Sequence, residues 1–216
     1  RFLGAAADIN LRVANCTTAA QYFHLLRRQA LLLTTDPLPL IVLTPKSLLR
    51  HPLVASAPRE FEEGAWRPVI DDDEARARAA EVRRVIFCSG KVYVDLVSAE
   101  QRQSDRRTAI CRIEQLYPFP SDAVDTIIEG YSNAEEVVWL QEEPLNMGAW
   151  DFFRPCFEEL LDGRLPVRYV GRPRSASPSE GSLAWHMINQ KMLVAEAYAP
   201  TAPAPRAARS RAKAKA

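Results

Sequence analysis

From residue 82 onward the apolar and polar positions alternate between two periods. Arg84-Val85-Ile86-Phe87-Cys88 is a short run rich in branched and aromatic residues, which predicts a strand over 84–88, then Ser89-Gly90-Lys91 and a helix to about 103. The pattern repeats with strands over 108–113, 136–141 and 167–170, and helices over 121–131, 149–161 and 180–198. Four strand–helix units in succession predict an α/β fold. Its sheet is mainly parallel, with helices on both faces and right-handed crossovers.

The first 45 residues carry a shorter version of the same pattern. Residues 2–8 read as the end of a helix and 11–16 as a strand. Thr17 or Thr18 can cap a helix running to about 33, with Tyr22, Leu26, Ala30 and Leu33 on one face. Asp36-Pro37 breaks it, and the apolar run 38–43 reads as a strand covered on both faces. Between the two blocks, Pro45, Pro52, Pro58 and Pro68 interrupt the chain, and Asp71-Asp72-Asp73-Glu74 reads as a solvated acidic run. The expected organisation is therefore 1–45 as the end of one domain, 46–79 as a linker, 80–198 as a second domain, and 199–216 as a disordered tail of Ala, Pro, Arg and Lys.

Composition narrows the class. Of 216 residues, 47% are apolar and 25% charged, enough for a buried core. The net charge of +1 is unevenly spread. Arg206, Arg209, Arg211, Lys213 and Lys215 lie in the tail; taking those five from 28 basic residues leaves 23 against 27 acidic ones, so the body is about −4. That balance argues against a nucleic-acid surface in the body. No run reaches the roughly 20 apolar residues of a membrane span. Cys16, Cys88, Cys111 and Cys156 are widely spaced, with no metal-ligand pattern, and read as free thiols of a reducing cytoplasm. The start at Arg1, already in helix-like sequence, suggests a chain cut from a longer one.

In open parallel sheets, ligands gather at the carboxyl ends of the strands, and three segments fall there. Ser89-Gly90-Lys91 can be a tight strand-to-helix turn or a weak anion cradle. In Gln141-Glu142-Glu143-Pro144-Leu145-Asn146-Met147-Gly148-Ala149-Trp150, the neighbouring carboxylates of a strand point to opposite faces, so they do not form an acid–base pair by themselves. Asn146 and Gly148 suit a turn, and Trp150 supplies an anchor against a neighbouring domain or subunit. In Gly171-Arg172-Pro173-Arg174-Ser175-Ala176-Ser177-Pro178, the arginines can hold an anion or pair with Glu142 and Glu143. Ser89, Lys91, Glu142, Glu143, Asn146, Trp150 and Arg172 are thus candidates for a structural or interface edge. His24, His51 and His186 have no nucleophile or carboxylate at a catalytic spacing, and no catalytic, cofactor or metal ligand is assigned.

Longer strings identify a family. Gln21-Tyr22-Phe23-His24-Leu25-Leu26-Arg27-Arg28-Gln29, Leu43-Thr44-Pro45-Lys46-Ser47-Leu48-Leu49-Arg50-His51-Pro52-Leu53 and Cys88-Ser89-Gly90-Lys91-Val92-Tyr93 are followed by Arg112-Ile113-Glu114-Gln115-Leu116-Tyr117-Pro118-Phe119-Pro120, the Gln141–Trp150 segment, Tyr169-Val170-Gly171-Arg172-Pro173 and Ser175-Ala176-Ser177-Pro178. In this order they resemble the C-terminal portion of the first, decarboxylating components of 2-oxoglutarate dehydrogenase, from Phe2 to about Tyr198.

The resemblance implies the end of a pyrimidine-binding domain followed by a transketolase C-terminal-like domain. It implies a cytoplasmic homodimer that uses thiamine diphosphate and magnesium, and that hands a succinyl group to the lipoyl domain of a dihydrolipoyl succinyltransferase. The family's Gly-Asp-Gly motif is absent from this sequence, and its Glu-His-Ser-Ser-Ala-Arg stretch falls just before the position of Arg1. The fragment is therefore expected to bind no cofactor and to be inactive alone. Relatives with an acetyl-CoA regulatory site use basic residues after the Leu-Tyr-Pro-x-Pro string. Here Ser121-Asp122-Ala123 stand there, although Arg28 and Gln115 are kept, so no activation by that route is expected. A 2-oxoadipate-preferring relative and a free-standing anion-binding α/β module are the competing readings.

Overall fold

A computed structural model describes residues 1–199; the expectations for the tail beyond them lie outside the described residues. The chain runs β1 (Arg12–Ala14), α1 (Ala19–Leu32), β2 (Leu40–Val42), α2 (Pro58–Glu62), β3 (Val69–Ile70), α3 (Asp73–Arg76), β4 (Arg84–Cys88), α4 (Lys91–Val97), α5 (Glu100–Ser104), β5 (Thr108–Ile113), β6 (Gln115–Tyr117), α6 (Ser121–Glu129), β7 (Glu136–Pro144), α7 (Trp150–Leu161), β8 (Val167–Arg172) and α8 (Leu183–Tyr198).

The main sheet has the order β3-β5-β4-β7-β8, with β4, β5, β7 and β8 parallel and β3 antiparallel. Both faces of its central strands are covered. On one side Trp139 and Phe87 pack against Phe153 and Phe157 of α7. On the other, Ile86, Val138 and Leu140 meet Leu193 and Val194 of α8. The near-continuous apolar runs in β4 and β7 follow from this two-sided burial.

A second sheet, β2-β1-β6, pairs β1 with β2 in parallel and with β6 in antiparallel. β6 follows β5 after one residue, Glu114, so the same stretch of chain serves both sheets. Sequence periodicity missed β6 because three residues are too few to show a period.

Several expectations need correcting. The opening helix is one 3-10 turn, Leu3–Ala5, closed by Asn10, whose side chain accepts from Ala7 N–H and donates to Ala5 O. Of the two threonines offered as the cap of α1, Thr18 fills that place. The buried face of α1 carries Ala20, Gln21, His24 and Leu25, while Tyr22, Leu26 and Leu33 are exposed. The polar members of that face are satisfied by the stretch read as a linker. Gln21 donates to Ala65 O and accepts from Arg67 N–H, and His24 bonds Glu60 O.

That stretch also supplies β3, so part of it belongs to the main sheet. β2 is a half-buried edge strand rather than one covered on both faces. The helix expected to reach residue 103 is two, α4 and α5, because Ala99 is extended.

The acidic run is not uniformly solvated. Asp72 is buried, caps α3 at Ala75 N–H, accepts from Ile110 N–H and pairs with Arg102 at 2.9 Å. Asp71 accepts from the Tyr131 hydroxyl and pairs with Arg76 at 2.6 Å. Within the described residues no helix is long and apolar enough to cross a membrane. All four cysteines are free, Cys88 and Cys111 fully buried and Cys16 and Cys156 half-buried; burial pushes the Cys88 thiol up to about 12.

Candidate functional site

The strand order reverses direction at β4: β5 lies on one side of it and β7 on the other. The carboxyl ends of β4 and β7 therefore flank the crevice in which open α/β sheets hold ligands. Ser89 directly follows one strand and Gln141 lies near the end of the other. Asn15, just after β1, reaches the same place. A cavity of about 130 Å³ lies there, lined by Asn15, Ser89, Gln141 and Glu143 among others.

Gln141 organises this edge, and sequence reading had not singled it out. Its Oε1 accepts from Trp139 Nε1 at 2.9 Å, Ala149 N at 3.1 Å and Trp150 N at 3.0 Å. Its Nε2 donates to Met147 O at 2.7 Å and Pro144 O at 3.2 Å. One buried amide thus holds both ends of the 142–150 loop and the start of α7. Gly148 sits at φ 71°, and a Cβ there would lie 2.8 Å from the Gln141 amide, so both backbone angle and space call for glycine. The available signal was a buried-type position carrying an amide just before a turn.

The expected residues separate into distinct groups. Asn146 Nδ2 donates to Ser175 O and its Oδ1 accepts from Ser175 N, both at 2.9 Å, tying the two loops together. Trp150 is buried and stacks at 5.3 Å on Tyr169 of the same chain. Gly90 has φ 69°, and a Cβ there would come within 2.4 Å of Asn15 Nδ2, so the turn packs directly against the second sheet. Lys91 Nζ pairs with Asp95 at 2.5 Å, on its own helix.

Arg172 pairs with neither Glu142 nor Glu143 directly. Its guanidinium donates to Gln190 Oε1 at 3.1 Å, meets His186 Nδ1 at 3.0 Å and lies 3.7 Å from Glu180. Gln190 Nε2 then donates to Asp95 at 2.7 Å and to Glu142 at 3.2 Å. The bridge to Glu142 is an amide of α8, a partner too far along the sequence to be read locally. The result is one polar chain along the α8 side of the edge: Lys91, Asp95, Gln190, Arg172, with Glu142 as a branch. Beside it opens a cleft of about 560 Å³ lined by Glu142, Glu143, Arg172, Glu180 and His186.

Elsewhere, His24 is buried against backbone, and His51 Nδ1 accepts from Leu53 N–H. Arg28 donates to Gln115 at 2.7 Å and lies over the ring of Trp66.

The sequence signature described as 2-oxoglutarate dehydrogenase C-terminal matches residues 55–198. The chain belongs to that family. Similar to it are the 2-oxoglutarate dehydrogenase E1 component of Geobacillus kaustophilus, 50% identical over 198 residues, and that of Bacillus mycoides, 44% identical over 202. These matches cover 90% and 91% of this chain but 21% of each relative, so the chain spans about a fifth of the length of the curated relatives it matches.

The matched residues include every strand of the main sheet. Its edge residues do not fit a magnesium-held diphosphate. Among the described residues no three His, Cys, Asp or Glu side chains converge as metal ligands, and Lys91 and Arg172 are held by carboxylates and amides of this chain.

Proposed function

We propose that the protein to which this chain contributes is the first, decarboxylating component of a 2-oxoglutarate dehydrogenase complex. The observation that carries this reading is 50% identity over 90% of the chain to a 2-oxoglutarate dehydrogenase E1 component. The whole enzyme converts 2-oxoglutarate to carbon dioxide and a succinyl group delivered to the lipoyl domain of a dihydrolipoyl succinyltransferase, in the tricarboxylic acid cycle. It works in the cytoplasm as a homodimer with thiamine diphosphate and magnesium. Bound thiamine diphosphate supplies the electron sink for decarboxylation; its ligands belong to other parts of the protein.

The share of residues 1–199 is structural. Residues 1–45 close the pyrimidine-binding domain, and the transketolase C-terminal-like domain follows. That domain is taken as 80–198, with β3 of the preceding 46–79 stretch adding an antiparallel strand to its sheet. The loop fixed by Gln141, with Ser89, Lys91, Glu142, Glu143, Asn146, Trp150 and Arg172 around it, forms the rim that faces the rest of the enzyme. The basic tail has no assigned role.

The test is turnover of the full-length protein with ferricyanide as electron acceptor. Reduction should require thiamine diphosphate and magnesium, and should be faster with 2-oxoglutarate than with 2-oxoadipate. Activity independent of thiamine would overturn the decarboxylase reading, and preference for 2-oxoadipate would reassign the substrate.

A further inference from the structure

A short strap, residues 173–182, carries the chain from the end of β8 to the start of α8. Pro178, Glu180 and Ser182 of the strap line the cleft of about 560 Å³ together with Glu142 and Glu143. The strap is tied down at two places. Near its start, Ser175 is paired through its backbone with Asn146. Near its end, Glu180 Oε1 accepts from Asn189 Nδ2 of α8 and lies 3.7 Å from Arg172 Nε. The other carboxylate oxygen, Glu180 Oε2, is buried and has no hydrogen-bond partner. It lies 3.8 Å from His186 Nδ1.

What His186 touches fixes its protonation in this arrangement. Arg172 Nη2 is 3.0 Å from His186 Nδ1. A guanidinium can only donate, so Nδ1 accepts, and the imidazole is neutral with its hydrogen on Nε2. A second proton has only Nδ1 to go to. There it ends the hydrogen bond from Arg172 and sets two cations against each other. The same proton makes a donor 3.8 Å from the one Glu180 oxygen that lacks a partner. The ring is 38% exposed, so protons reach it from solvent. The charged groups around it are Arg172 from β8, Glu180 from the strap, and Glu142 and Glu143 from the end of β7. Asp95 and Lys91 of α4 join them through Gln190.

We propose that His186 is a proton-operated latch for the strap: neutral, it accepts from Arg172; protonated, it turns from Arg172 to Glu180, and the Glu180 carboxylate is then held between two cations. Closing 3.8 Å to a charge-assisted hydrogen bond takes a shift of about 1 Å. Arg172 keeps its bond to Gln190 in either state, so the polar chain along the sheet edge survives the change. The strap is held more firmly against α8 below the pH range in which imidazoles change charge, and less firmly above it. The proton thus sets how tightly one wall of the cleft is held. The inference goes beyond the decarboxylase reading and does not depend on it.

Hydrogen exchange of the full-length protein, read by mass spectrometry over residues 173–182, tests it. Rates are corrected for the pH dependence of exchange itself and compared with residues 84–88 of β4, which report the main sheet. Relative to β4, protection of the strap should be about threefold greater at about pH 5.5 than at about pH 8, the scale of one partly exposed ion pair. His186→Gln keeps an acceptor for Arg172 but takes no charge, and should show the same strap protection at both pH values. Glu180→Gln keeps the bond from Asn189 but loses the negative charge, and should flatten the response as well. Strap protection that ignores pH, that rises with pH, or that changes equally in either variant would overturn the proposal. Turnover is read separately, so such a result leaves the decarboxylase reading standing.

Discussion

The carboxylate of Glu114 accepts two hydrogen bonds from Thr17: one from the backbone N–H at 2.8 Å and one from the hydroxyl. Glu114 is fully buried between β5 and β6, and Thr17 precedes the cap of α1, so this contact locks the small sheet to the large one. The Thr17 hydroxyl also accepts from Arg112 at 2.9 Å.

Burial raises the Glu114 carboxyl from its ordinary value to about 7, against the opposing pull of the Thr17 hydrogen bonds and Arg112. A folded-state value above the unfolded one means that the native protein holds the extra proton between about 4.5 and 7. The stability this contributes is fully present below 4.5 and is lost as pH rises through 7. Glu114→Gln cannot titrate. The melting temperature of the native protein minus that of Glu114→Gln should therefore fall between pH 5 and 8, followed by differential scanning calorimetry across that range. A difference independent of pH would count against a titrating Glu114.

Gln141→Leu removes the acceptor of three buried donors at once: Trp139 Nε1, Ala149 N and Trp150 N. Leaving one buried donor unmade costs about 1–3 kcal/mol, so the variant should be destabilised by several kcal/mol in urea unfolding. Gly148→Ala, which forces a Cβ against the same amide at positive φ, should be destabilised through the same loop.

Neighbouring aspartates should behave oppositely. Asp72→Ala strips a cap from α3 and leaves Arg102 without its buried carboxylate, an interaction whose one-sided loss costs roughly 3–5 kcal/mol. Asp73 is exposed, and Asp73→Ala should change stability by less than about 0.5 kcal/mol. Thermal melts of the two variants side by side check this.

Residues 1–216 produced alone should show no heat of binding with thiamine diphosphate and magnesium by isothermal titration calorimetry. The cations Lys91 and Arg172 at the sheet edge are already engaged by side chains of this chain. Acetyl-CoA should likewise leave the full-length enzyme's rate unchanged, since Ser121-Asp122-Ala123 carry no cation. Micromolar binding in the first measurement, or activation in the second, would contradict the respective expectation.

The strands 84–88 and 108–113 were legible to the residue, because central strands buried on both faces are written as unbroken apolar runs. The alternation of periods fixed the α/β class, and the ordered strings fixed the family. What periodicity could not supply was the identity of each neighbour. Whether Asp72 is solvated, which face of α1 is covered, and what Arg172 binds all depend on segments distant in sequence: Arg102 and Ile110, residues 60–67, and Gln190. Gln141 was passed over for a different reason: its six partners are near in sequence but converge on it only when the loop closes. The order of elements is a local property of the chain, because strand and helix periods are set by backbone geometry. The state of a polar side chain is not: a charge or amide is stable in the interior only with its partners in place, and the packing of the whole fold decides which partners arrive.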